Sequence, residues 1–177
     1  MVSIIFDLEA SCKEVESKYF TQEIIEIGAY KLDEFGEIID KFQSFIKPQL
    51  HPYLSSFCTK LTTIQQKDVE HAKAFDIVIE NFIGWIDSDE YRLMSWGNTD
   101  PELLLNDCVL HKQDTKWLHG KHIDMLEAYN LIRGKSDKIS FFRALELESI
   151  KYIGTPHRAI YDAANLVNLY LKYLGRW

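Results

Sequence analysis

Four carboxylates and one imidazole stand in sequence contexts where they could act together. They lie in three separate segments: Asp7 and Glu9 near the start, Asp100 in mid-chain, and His157 with Asp162 near the end. Converging carboxylates bind hard divalent cations such as Mg²⁺. A neighbouring imidazole can take a proton from water close to neutral pH. Together these groups would equip the chain for metal-assisted phosphodiester hydrolysis.

Asp7 and Glu9 close a nearly continuous apolar run over residues 2–7, which predicts a buried central strand. Residues two apart on a strand point to the same face. Two like charges buried side by side are unfavourable unless a cation lies between them. The alternative is a strand end that frays into solvent, where neither acid costs stability.

Asp100 stands directly before a proline at a predicted helix start. Aspartate is among the best N-cap residues, so the local pattern favours a capping role for Asp100. A capping aspartate at the end of a short strand can still aim its second oxygen at an active-site water. The two interpretations are therefore compatible.

His157 and Asp162 are five positions apart, which on an ideal helix separates them by about 140°. They can converge only if His157 lies on the loop before a helix that starts near Ala159. Residues 154–156, Gly-Thr-Pro, supply such a loop. Taken singly, the histidine is typical of a solvated loop and the aspartate of a first helical turn. Arg158 is predicted to be an ordinary surface charge.

Composition is that of a single folded domain over residues 1–177, with 46% hydrophobic and 13% aromatic residues. No stretch approaches the roughly 20 apolar residues of a membrane span. We expect no membrane association and no secretory leader, because the first apolar run leads straight into the acidic pair. The three cysteines form no Cys-x-x-Cys pair, which favours reduced thiols and a cytoplasmic protein.

The formal net charge of −7 disfavours tight binding along a nucleic-acid duplex. Two bound divalent cations would bring that charge to about −3 and would concentrate the positive field at one place. The charge is therefore compatible with an enzyme that grips a few nucleotides at an end.

Hydrophobic periodicity predicts an α/β domain. Its mixed central sheet has an antiparallel meander first and then parallel strands, and helices flank it. The predicted strands are residues 2–7, Ile24–Leu32, Ile38–Ile46 and Tyr91–Ser95. The predicted helices are residues 74–86, a helix from Asp100 through Cys108, 122–131, 139–149 and 159–174.

The three acidic segments resemble, in order, the three motifs of the DnaQ-like 3′–5′ exonucleases of the DEDDh type, which have an RNase H-like fold. More narrowly, the chain resembles the Eri/KapD-type subgroup, and the resemblance covers nearly the entire chain. Thr63 stands where the family usually has glycine, and Tyr161 stands where many relatives carry another acidic residue. The segments that carry the resemblance are residues 6–11, 23–29, 57–64, 96–100 and 154–163.

This resemblance implies that Asp7, Glu9 and Asp162 bind a first metal ion. Asp7 would bridge to a second ion, with Asp100 supporting it directly or through water. His157 would act as general base. The expected cofactor is Mg²⁺, two ions per site, with Mn²⁺ as a substitute. The terminal nucleotide would be held by residues in two segments: Leu8, Ala10, Ser11, Leu61 and Thr62. For Leu61, simple core packing is the alternative.

The function that these patterns favour is 3′–5′ exonuclease action on single-stranded RNA ends, or on short single-stranded DNA, with release of nucleoside 5′-monophosphates. RNA is preferred because the similarity is of the Eri type. One alternative is a proofreading DNA exonuclease subunit associated with a polymerase. Another, from a different class, is a non-catalytic nucleic-acid-binding module on an RNase H-like scaffold.

Overall fold

The computed structural model describes residues 1–15, 18–88 and 90–177. Within these ranges the chain forms one five-stranded sheet in the order β3-β2-β1-β4-β5, with helices on both faces. The strands are β1 Val2–Ala10, β2 Ile24–Leu32, β3 Ile38–Phe45, β4 Tyr91–Ser95 and β5 His122–Asp124. The helices are α1 Ser56–Thr62, α2 Gln66–Glu70, α3 Phe75–Ile86, α4 Thr99–Leu110, α5 Met125–Arg133, α6 Phe141–Leu147 and α7 Ala159–Lys172.

β1 is the central strand and sets the direction in which the acidic residues point. It pairs antiparallel with β2 on one side and parallel with β4 on the other. Ile4, Phe6 and Leu8 pack into the core beneath α3 and α4, whereas Ile5 packs on the opposite face with residues of α5, α6 and α7. Because side chains alternate along a strand, Asp7 and Glu9 lie on the α7 face. The predicted mixed sheet is confirmed.

Several predicted boundaries needed correction. β1 runs to Ala10, three residues beyond the predicted end, so both acids lie inside the strand. Residues 122–124 are a short parallel strand and not the start of the predicted helix over 122–131. Leu61 and Thr62, which were predicted to help hold the terminal nucleotide, lie in α1. No helix in the described ranges is both long and apolar enough to span a bilayer.

α7 packs directly against β2 at Gly28. A Cβ atom at this glycine would lie 2.2 Å from the backbone nitrogen of Ile160 and 2.3 Å from the carbonyl carbon of Ala159. Both neighbours are backbone atoms and cannot rotate away. The missing side chain therefore sets the distance between the sheet and the first turn of the helix that carries Asp162.

We predict that Gly28→Ala lowers the free energy of unfolding by about 1–3 kcal/mol, the usual cost of overpacking. It should also disturb the position of Asp162, because α7 must move away from the sheet. Urea unfolding measures the loss of stability. Gly84→Ala in α3 is the matched control: it has open space around it and should stabilise the helix by about 0.5–1 kcal/mol. Equal stability of the Gly28 variant and the wild type would contradict this packing account.

Candidate active site

Three carboxylates converge where β1 passes beneath the start of α7. One oxygen each from Asp7, Glu9 and Asp162 lies within 4.8 Å of the other two. Glu9 and Asp162 are buried, and Asp7 keeps part of its surface exposed. Oxygen ligands at this spacing suit a hard divalent cation. The residues thus fit the metal ion that the sequence predicted, with Asp7, Glu9 and Asp162 as the set that would hold it.

Asp100 approaches the same site from the other side of β1. It is the second residue of α4 and is buried, and its carboxylate raises the pKa of Asp7. The predicted N-cap role is wrong: Asn98 occupies the N-cap position of α4. The Asp100 carboxylate instead lies close to Ser95 and to the Leu8 backbone, whose polar groups hold its pKa below the value that burial alone would give.

The sheet register leaves Leu8 outside the ladder between β1 and β4. Pairing between β1 and β4 ends at Ile5 and Met94, so the Leu8 N–H lies beyond the last ladder pair. Ser95, the last residue of β4, is fully buried, and its Oγ lies 3.0 Å from Nε2 of His122. Leu8 of β1 and Ser95 of β4 therefore both lie next to Asp100.

His157 lies on the loop before α7, as its spacing from Asp162 required. Its φ of +58° is in the left-handed region, which turns the chain just before the helix begins at Ala159. The Asp162 carboxylate lies next to His157 and Arg158, whose backbone N–H groups oppose the rise in its pKa that burial causes. The imidazole is exposed and lies 6.0 Å, between ring centroids, from the ring of Phe142. The Asp162 carboxylate and the loop that carries the imidazole are therefore neighbours.

Glu26 is a fifth acid beside the site, and no role was predicted for it from the sequence. It lies opposite Glu9 in the β1–β2 ladder and has no exposed surface. Arg158 donates to it from Nε and Nη2, each at 3.0 Å, and the Ala159 N–H donates at 3.1 Å. Arg158 is therefore not an ordinary surface charge. A glutamate inside an otherwise apolar strand was the signal that a buried partner was needed.

Burial and mutual repulsion raise the pKa values of the clustered acids. Burial, then the charges of Asp162, Glu26 and Asp100, raise the pKa of Glu9 to about 8. Burial raises the pKa of Asp100 to about 7, although hydrogen bonds from Ser95 and Leu8 oppose the shift. Burial and then the charge of Asp100 raise the pKa of Asp7 well above its ordinary range. Without a cation, the site holds protons that carboxylates normally lose near pH 4.

The five residues predicted to hold the terminal nucleotide differ in how far their side chains are buried. The side chains of Leu8, Ser11 and Thr62 are buried: Leu8 packs in the core, Ser11 accepts the Glu23 N–H, and Thr62 donates to the Cys58 carbonyl. Leu61 is 37% exposed and Ala10 is half-buried. Of the five, only Leu61 and Ala10 can offer side-chain surface to a ligand.

Comparison with known proteins places the chain in a family. The Exonuclease (RNase_T) family model matches residues 4–170. The 3′-5′ exoribonuclease 1 of Rattus norvegicus is 31% identical over 179 residues, which cover 96% of this chain and 52% of that protein. The 3′-5′ exonuclease eri1 of Schizosaccharomyces pombe is 28% identical over 198 residues, covering 96% and 66%. The chain spans about half the length of the first of these relatives.

Comparison with solved structures supports the same family. The nuclease domain of 3′hExo, described as a DEDDh family member bound to rAMP, superposes with a TM-score of 0.92 at 28% identity. The aligned region covers 98% of this chain and 91% of that domain. This chain belongs to the exonuclease family, and within it to the DnaQ-like DEDDh exonucleases of the Eri type. Metal dependence is a property of that family, and the acidic cluster is compatible with it.

The raised carboxyl pKa values predict how the stability of the metal-free protein depends on pH. A carboxyl whose pKa is higher in the folded chain than in the unfolded chain stabilises the fold most below about pH 4. This contribution is lost as the pH rises through about 7 for Asp100 and about 8 for Glu9. The melting temperature in chelator should therefore fall between pH 6 and pH 9. Added Mg²⁺ should raise it more at pH 8 than at pH 6, because the ion displaces the protons.

Circular dichroism melts across this pH range provide the measurement, with Glu9→Gln as the control variant. Glutamine is neutral throughout, so the fall in melting temperature from pH 6 to pH 9 should be smaller in this variant. Identical pH profiles for the variant and the wild type would contradict the assigned repulsion.

Thr63, at the C-cap of α1 beside Leu61, generates a second prediction. Its φ of +62° is in the left-handed region, where a β-branched residue is strained. Thr63→Gly should raise the free energy of unfolding by about 1–2 kcal/mol, the typical cost of a left-handed backbone for a residue with a side chain. Urea denaturation measures the change. A destabilised glycine variant would show that the threonine side chain contributes more than its strain costs.

Proposed function

We propose that this protein is a metal-dependent 3′–5′ exonuclease that hydrolyses phosphodiester bonds at the 3′ ends of single-stranded RNA and releases nucleoside 5′-monophosphates. The observation that carries the proposal is the convergence of Asp7, Glu9 and Asp162 within 4.8 Å, beside the loop that carries His157. The proposal is supported by relatives that are named 3′-5′ exoribonucleases.

The roles of individual residues follow from their positions. Asp7, Glu9 and Asp162 would hold one cation, and Asp7 with Asp100 would hold a second. The cations, Mg²⁺ or Mn²⁺, would supply positive charge for the phosphoryl oxygens and lower the pKa of an attacking water. His157 would remove the proton from that water as its oxygen attacks phosphorus and the bond to the 3′-oxygen breaks. An exposed imidazole on a fixed loop can both reach the water and release the proton to solvent.

We prefer RNA as the substrate because the relatives are named exoribonucleases. The preference does not rest on a residue of this chain that contacts a 2′-hydroxyl. The solved structure of the 3′hExo nuclease domain holds rAMP, a ribonucleotide, on the same fold. The half-exposed Leu61 offers apolar surface on which a terminal base could pack regardless of its identity.

We also propose that the chain acts as one exonuclease domain in the cytoplasm. Cys12, Cys58 and Cys108 are all free thiols in the described structure, which suits a reducing compartment.

The direct test is digestion of matched 5′-labelled single-stranded RNA and DNA with Mg²⁺, with Mn²⁺ or with chelator. A descending ladder that requires the metal would support 3′–5′ polarity, and the two rates would give the sugar preference. A label released at once as a mononucleotide would indicate the opposite polarity. Full activity in chelator would contradict the proposal.

Substitutions test the individual roles. We expect Asp7→Ala and Asp162→Ala to abolish activity, because each removes a ligand. His157→Ala should cost on the order of 10²–10⁴-fold in kcat, the usual span for loss of a general base. Asp114→Ala is the control, since Asp114 is exposed and accepts the Lys116 N–H. An unimpaired His157→Ala enzyme would remove the histidine from the mechanism.

A further inference from the structure

Tyr152 lies in the segment between α6 and α7 and reaches the acidic site with its hydroxyl. Its Oη is 3.0 Å from Oδ1 of Asp162 and 3.3 Å from the carbonyl oxygen of Thr155. A phenol has one proton to donate, and the Asp162 oxygen is the nearer acceptor. Tyr152 therefore donates to Asp162. Burial raises the pKa of Tyr152 above its ordinary value, so the phenol keeps this proton.

The Asp162 carboxylate contacts one short segment of the chain. It accepts the Tyr152 hydroxyl, and it lies beside the backbone N–H groups of His157 and Arg158. Two carboxylate oxygens offer about four acceptor positions, so room for a cation remains. The side chain of Asp162 is thus tied to the same loop that presents the imidazole.

The segment that carries Tyr152 is itself anchored to α7. The Asn165 side chain accepts the Ile153 N–H at 3.0 Å and donates to the Ile153 carbonyl at 2.8 Å. Asn165 is fully buried. The tyrosine hydroxyl therefore acts from a backbone that is fixed independently of the bond to Asp162.

The ring of Tyr152 has a separate packing role. It lies 5.3 Å, between centroids, from the ring of Phe142, which in turn lies 6.0 Å from the imidazole of His157. A phenylalanine at position 152 would preserve this stack and remove only the hydroxyl. The two contributions of Tyr152 can therefore be measured separately.

We propose that Tyr152 is a positioning residue, whose hydroxyl holds Asp162 in the orientation that binds a divalent cation. The inference rests on the proposed function and adds to it a residue outside the five acidic and imidazole groups. Hydrogen-bond partners of metal ligands fix the orientation of the ligand, and their loss typically costs 10- to 100-fold in metal affinity. Tyr152 would act only through Asp162 and would not contact the substrate.

The test is a Mg²⁺ titration of Tyr152→Phe, Tyr152→Leu and the wild type. Two readouts are used: the rise in melting temperature with Mg²⁺, and the rate of single-stranded RNA digestion. For Tyr152→Phe we expect the half-saturating Mg²⁺ concentration to rise about 10- to 100-fold in both readouts. The KM for RNA should not change, and kcat should approach the wild-type value at saturating Mg²⁺. Tyr152→Leu should show the same shift in Mg²⁺ dependence together with lower stability.

Tyr129→Phe is the matched control. Its hydroxyl donates to the Glu148 carboxylate at 2.6 Å, away from the site, so its loss should lower stability without changing the Mg²⁺ dependence. A shift in Tyr152→Leu alone would show that the ring, not the hydroxyl, matters and would overturn the inference. Unchanged half-saturation in both Tyr152 variants would do the same while leaving the proposed function intact. If the wild type neither binds Mg²⁺ nor requires it, the proposed function fails as well.

Discussion

The structure depends on keeping several buried carboxylates together although they repel one another. One carboxylate oxygen each from Asp7, Glu9 and Asp162 lies within 4.8 Å of the other two, and the charge of Asp100 adds to their repulsion. Burial raises the pKa of each of them. In the unfolded chain these carboxylates would move apart, so the folded structure must be rigid to keep them together. A divalent cation between the carboxylates would attract all of them and offset their repulsion.

The fold supplies that rigidity from the centre of the sheet outward. β1 is paired on both sides. α7 packs closely against β2 at Gly28, the one residue of β2 without a side chain. A fifth acid, Glu26, is neutralised by Arg158 and accepts the first N–H of α7. Negative charges at a helix N-terminus are favourable. The N-terminus of α7, which carries Asp162, therefore partly offsets the repulsion among the clustered carboxylates.

The sequence was most informative where a pattern was local and repeated. The strands Ile24–Leu32 and Tyr91–Ser95 were predicted with the bounds they have, because apolar runs between turn residues define them. The spacing of His157 and Asp162 predicted the loop before α7, since helix geometry excluded the alternative. The ordered acidic segments indicated the family that the comparisons show.

The sequence failed where long-range contacts override the local pattern. Asp100 has the local context of an N-cap, but it is buried beside Ser95 and Leu8, and the proximity of Leu8 is not visible in the local sequence. Arg158 looked solvated because Glu26 is 132 positions away. The strand at 122–124 is three residues long, too short for any periodicity, and exists only because β4 pairs with it.

Calorimetry tests whether the acids of the metal-free site hold protons that a cation replaces. Mg²⁺ is titrated into the metal-free protein at pH 7 in two buffers whose ionisation enthalpies differ widely. We expect saturable binding whose heat depends on the buffer, corresponding to net proton release into solution. Saturable binding with the same heat in both buffers would show that the carboxylates are already ionised. It would contradict the repulsion on which the site is built.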